Sequence, residues 1–139
     1  MGFENTPHIQ RYANGDIIVS EGIVSNNAYI ILEGQVNVTK KVDKKSILIN
    51  SLSKGEVFGE MGMISQSARS ASVVAVGNVT IGVIDREQFE ATVSQLPEDI
   101  QAIVKALVDR LRYTSDQLSK IGLELEKTRS IISSFSSQH

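Results

Sequence analysis

The chain changes its repeat once, near Asp85, and that switch limits the folds open to it. Upstream, glycines at 15, 22, 34, 55 and 77 separate short apolar, β-branched runs, the cadence of an all-β sandwich or barrel. Ile17–Val19 reads as one strand and Ala28–Leu32 as another. Glu33-Gly34 turns the chain into Gln35–Thr39, which alternates polar and apolar residues with period two. Lys40–Ser46 is charged and suits an exposed hairpin tip, after which Ile47–Ile49 resumes a strand. Ser53–Gly55 turns again, Ser72–Val76 reads as a buried strand, and Gly77-Asn78 breaks it before Val79–Ile84. Residues 1–14 carry no such pattern and read as an irregular or helical lead-in.

Downstream the period lengthens. Asp85–Phe89 begins a helical segment, and Leu96-Pro97-Glu98-Asp99 marks a second start, with Pro97 suited to the first helical position and two acids in the first turn. From there Ile100, Val104, Leu107, Leu111, Thr114, Leu118, Ile121, Leu125, Thr128, Ile132 and Phe135 recur at alternating intervals of four and three. Such a helix spans about 50 Å at 1.5 Å per residue, longer than a small barrel can cover. Sustained a/d spacing predicts a coiled coil and hence a homodimer, with Glu124 at g facing Arg129 at e of the second copy. The bland alternative is an amphipathic helix packed on its own barrel. Gly122 weakens the helix locally. The expected organisation is one domain over residues 1–133, with a barrel at about 12–85 and helices at about 86–133, and a disordered tail over 134–139.

Composition removes whole classes of function. The chain has no cysteine, which excludes disulfides and thiolate metal sites, and its two histidines, His8 and His139, lie near opposite ends. With no metal site and no general base in view, the chain is not expected to be an enzyme. A net charge of −2 offers no general attraction to nucleic acid or to an anionic membrane. No apolar run approaches the ~20 residues that cross a bilayer, and the N-terminus lacks an apolar signal core, so a cytoplasmic location is expected.

One stretch carries chemistry: Gly55–Ala75, GEVFGEMGMISQSARSASVVA. Phe58-Gly59-Glu60 puts bare backbone beside a carboxylate, and Arg69-Ser70-Ala71 puts one guanidinium among small residues. A guanidinium on a small, apolar segment needs an anionic partner. Glu60, nine residues away, is one candidate; a ligand drawn against Gly59 is the other.

These words resemble the phosphate-binding cassette of the cyclic nucleotide-binding domain family: Phe58, Gly59, Glu60, Met61, Gly62, Met63 and Ile64, then Arg69, Ser70 and Ala71. Ala68 departs from members that carry proline there. The resemblance implies a β jelly-roll barrel with the cassette inserted between strands, an α+β chain ending in a long dimerisation helix. It implies that Glu60 accepts from the ribose 2′-hydroxyl and that Arg69 pairs with the cyclic phosphate. Backbone N–H groups around Gly59–Met61 and the Ser70 hydroxyl would add donors. Arg110-Leu111-Arg112-Tyr113-Thr114-Ser115 resembles the corresponding helix of the catabolite activator branch of that family. By that likeness Thr114 meets the base from its own chain, Ser115 from the partner, and Arg110 lies near Glu60. The ligand implied is cyclic AMP. Cyclic GMP is the alternative, because a hydroxyl directly after the cassette arginine can assist guanine. No cofactor or metal is implied. No helix-turn-helix unit follows the seam, so this chain alone is not expected to bind nucleic acid. The expected function is a cyclic nucleotide sensor that signals through its C-terminal helix, with a structural dimerisation module as the alternative.

Overall fold

Two long strands carry the architecture. The computed structural model describes residues 8–65 and 68–136, with elements β1 (His8–Tyr12), β2 (Ile17–Val19), β3 (Asn27–Val42), β4 (Lys45–Ser53), β5 (Val57–Phe58), α1 (Glu60–Ser65), β6 (Ser72–Asp85), α2 (Arg86–Val93) and α3 (Glu98–Ser136). β3 and β6 pair antiparallel from Asn27↔Asp85 to Thr39↔Ser72. At one end β6 takes β1 and β3 takes β5; at the other β6 takes β2 and β3 takes β4. Each long strand thus serves both layers of the jelly-roll barrel. Ile31, Val36, Val79 and Ile81 fill the centre of its core.

Gly34 and Gly77 were expected to end strands, and instead they bend them. Both have positive φ, 95° and 69°, and both lie where the β3–β6 register shifts or skips, between Ile31 and Gln35 on one strand and Val76 and Thr80 on the other. The ladder resumes on either side, so β3 and β6 turn together from one layer into the next. A Cβ at Gly34 would stand 2.6 Å from the Asn78 carbonyl oxygen, so only glycine admits this approach.

The lead-in also differs. His8–Tyr12 is a strand, paired from His8↔Val83 to Tyr12↔Val79, so the barrel begins at 8 rather than about 12. Backbone pairing to β6 makes this edge strand without the alternation that reveals one in sequence. Residues 1–7 lie outside the described residues.

Asp85 caps α2, its Oδ1 accepting from the Gln88 N–H at 2.7 Å. Pro97 precedes α3 instead of opening it, its carbonyl accepting the first helical bond from Gln101 N–H at 2.8 Å. α3 continues through Gly122 to Ser136, so the expected disorder from 134 is corrected for 134–136; residues 137–139 lie outside the described residues. Ser133 and Ser134 supply no glycine or proline to stop the helix.

The helix presents two faces. Gln101, Val104, Val108, Arg112 and Ser115 are half-buried, at helical spacing, toward the domain's other elements. Leu107, Leu111, Leu118, Ile121, Leu125 and Ile132, the predicted seam, are exposed in the single chain. The expected seam and the half-buried face share Val104, and Leu118 of the seam also borders the domain's cleft.

Candidate ligand-binding cleft

Arg69 is 6% exposed and has no carboxylate within ion-pair distance: among the described residues the ion pairs are Arg86–Glu90 and Arg112–Asp109. Backbone oxygens hold the guanidinium instead. Nη1 donates to the Gly59 carbonyl, and Nη2 donates to the carbonyls of Asn27 and, at 3.4 Å, Ser25. Nε is buried without a hydrogen-bond partner. Burial lowers the Arg69 pKa from its ordinary value, with Tyr29 and Glu60 acting in the opposite direction. Arginine remains charged through such a shift. A buried cation that meets only neutral oxygens, with one donor idle, is costly to keep without a counter-charge.

The scaffold around it is specific. Tyr29 and Phe58 stack with centroids 5.1 Å apart, and the guanidinium carbon lies 6.0 Å from the Tyr29 centroid. Gly59 has φ 76°, and a Cβ there would come within 3.0 Å of both Arg69 Nη1 and the Tyr29 ring. Gly62 is tighter still, its hypothetical Cβ falling 2.0 Å from Nη1 and 2.4 Å from Cζ. Gly62→Ala is therefore expected to push the guanidinium off its carbonyls and weaken ligand binding by about 1–2 kcal/mol, on the order of ten-fold. Helix propensity alone predicts the opposite, a gain of up to ~1 kcal/mol in stability. Calorimetry beside thermal unfolding separates the two, and unchanged affinity rejects the steric argument.

A cleft of about 930 Å³ opens beside this arrangement. Phe58, Gly59, Glu60, Met61, Arg69, Ser70, Ala71 and Ser115 line it, eight of the ten residues expected at the site. Glu60 is exposed at the first residue of α1, free of the salt bridge that would have made it merely structural. Thr114 and Arg110 lie elsewhere. The Thr114 hydroxyl donates to the Arg110 carbonyl on its own helix at 2.9 Å, and neither residue lines the cleft. Ser115, not Thr114, borders this chain's own cleft, because neighbours on a helix point about 100° apart. Lys40, Asn50, Leu52 and Leu118 line the cleft without having been foreseen. Asn50 arrives through the pairing Val38↔Asn50, a tertiary register with no local signal, and Leu118 reads as an ordinary seam position. Among the described residues no group of His, Cys, Asp and Glu is placed to hold a metal ion, and no helix is long and apolar enough to cross a membrane.

Human cGMP-dependent protein kinase 2 is 33% identical over 144 residues, covering 93% of this chain and 19% of the kinase, so the chain spans a small part of that relative. Among solved structures, the EAL enzyme Bd1971 aligns in its cAMP-bound form with TM-score 0.60 and 32% identity, and in its cGMP-bound form with 0.62 and 34%. Each covers 88% of this chain and 33% of the other. The catabolite activator protein of Thermus thermophilus aligns with TM-score 0.63 and 27% identity over 83% of this chain and 55% of its own. The family described as "Cyclic nucleotide-binding domain" matches residues 9–95, and with that match spanning most of the barrel and α2, the chain belongs to the cyclic nucleotide-binding domain family.

Proposed function

We propose that this chain is a sensor module that binds cyclic AMP in preference to cyclic GMP and passes occupancy to α3, without catalysing a reaction itself. The observation that carries the reading is Arg69, a buried guanidinium with neutral partners and an idle Nε at the edge of a cleft. A cyclic phosphate supplies the missing charge and acceptor. Glu60, exposed on the same cleft, is suited to accept from a ribose hydroxyl. Calorimetric titration with cyclic AMP and cyclic GMP tests the reading. Absence of binding to either rejects it and favours a structural module.

The base preference rests on the Thr114-Ser115 pair and its likeness to the catabolite activators. Hydroxyls accept from the adenine amino group or donate to the guanine carbonyl, so their chemistry alone does not choose. Bd1971 has been solved with each nucleotide, so that likeness does not choose either. The placement of the pair refines the expectation. Ser115 borders this chain's own cleft and Thr114 does not, so on this reading Ser115 meets the base of its own chain's nucleotide and Thr114 that of a second copy. Ser115→Ala is expected to weaken cyclic AMP binding by about 0.5–1.5 kcal/mol whatever the assembly state. Thr114→Val is expected to have a similar effect in a dimer and none in a monomer. Equal cyclic AMP affinity in wild type and both variants removes α3 from base recognition.

A further inference from the structure

Arg112 joins the long helix to the cassette. Its Nε donates to the carbonyl oxygen of Ile64 at 3.2 Å. α1 has six residues and ends at Ser65, so the Ile64 carbonyl is one of the terminal oxygens that a helix cannot satisfy internally. Arg112 caps it with a charged donor from another element. On its own helix, Arg112 Nη1 lies 3.9 Å from Asp109 Oδ1, one turn back. A cavity of about 460 Å³ lies among α1, α2 and α3, lined by Met63, Ile64, Phe89, Val104, Val108 and Arg112 among others.

We propose that Arg112 is a positioning residue that keeps α3 in register with the cassette helix and so holds Ser115 over the cleft. The proposal rests on the reading of that cleft as a cyclic nucleotide site. α1 connects the two ends of the device. Glu60, its first residue, lines the cleft, and Ile64, next to last, receives Arg112. Ser115 follows Arg112 by three residues and lies on the same half-buried face. A nucleotide that seats α1 therefore selects one placement of α3, and the selection passes through this bond. A purely structural cap would affect the stability of α1 without changing how α3 responds to ligand.

Hydrogen exchange of wild type, Arg112→Ala, Arg112→Gln and Arg112→Lys, with and without cyclic AMP, tests this. In unliganded protein, Arg112→Ala is expected to speed exchange in 62–65 and 112–118 by about five-fold, leaving β3 and β6 unchanged. Saturating cyclic AMP is expected to slow both segments in wild type, but only 62–65 in Arg112→Ala, and Arg112→Lys is expected to recover part of the α3 response. If alanine also loosens β3 and β6, the comparison moves to Arg112→Gln, which fills similar space without the charge. Slowing of α3 that equals wild type in the variant, or unliganded exchange that does not change, overturns the proposal. If wild type binds no cyclic nucleotide, it is the functional reading that fails. The unliganded comparison then decides whether Arg112 ties the two helices.

Discussion

Arg69→Ala is expected to weaken cyclic nucleotide binding by roughly 30-fold to several-thousand-fold, about 2–5 kcal/mol. The variant leaves a ligand phosphate desolvated in the cleft without its cation. The effect on folding works the other way. In the unliganded protein the guanidinium is a buried charge with no carboxylate within ion-pair distance among the described residues. Its removal relieves that burden, but it also frees the carbonyls of Gly59 and Asn27 and removes the group lying against Tyr29. Stability is therefore expected to move much less than affinity. Calorimetry and thermal unfolding on the same preparations check both, with Arg69→Lys as the intermediate case: a lysine keeps the charge but not the planar fork that engages several oxygens at once. Equal affinity in wild type and Arg69→Ala sinks the assignment of the cleft. Loss of affinity together with collapse of the fold leaves Arg69→Lys to decide.

Ile121→Asp is expected to convert a dimer into a monomer while the barrel stays folded. Ile121 is 52% exposed and Leu125 64% exposed in the single chain, on a helix of 39 residues that runs well past the barrel. A long exposed apolar stripe at heptad spacing is unusual for a free surface and fits a second copy of the same helix. A carboxylate in that seam is opposed by its own symmetry mate and by desolvation. Light scattering of wild type comes first: a monomer at tens of micromolar rejects the coiled coil. If wild type is a dimer and Ile121→Asp remains one, association runs through another surface. In the monomeric variant, Thr114→Val is expected to lose its effect on cyclic AMP while Ser115→Ala keeps its own.

Much of this was legible because the relevant information is local. Phe58-Gly59-Glu60 and Arg69-Ser70-Ala71 are contiguous words, and the cleft draws on all six of their residues. Heptad spacing fixes which residues of α3 form a stripe, and the alternation in Gln35–Thr39 marks a half-buried strand. Glycine was informative about where the chain departs from regular strand but not about how. At Gly34 and Gly77 a positive φ serves either a reversal or a bend, and the shared level of the two glycines in the β3–β6 ladder makes it a bend.

Other features depend on parts of the chain far apart in sequence. Two of the three backbone oxygens around Arg69 come from Ser25 and Asn27, more than forty positions earlier. Asn50 enters the cleft through strand register, and Ile64 receives Arg112 from 48 residues downstream. Whether Thr114 or Ser115 faces its own cleft turns on the rotation of α3 about its axis, which no spacing along a single helix specifies. The amino-acid sequence by itself determined most element types, the residues of the cassette and the stripe on the long helix, because propensity, periodicity and residue chemistry act over a few positions. Only the tertiary structure decided which way each stripe faces and what meets Arg69 in the absence of ligand, because those depend on packing summed over contacts that the linear chain keeps apart.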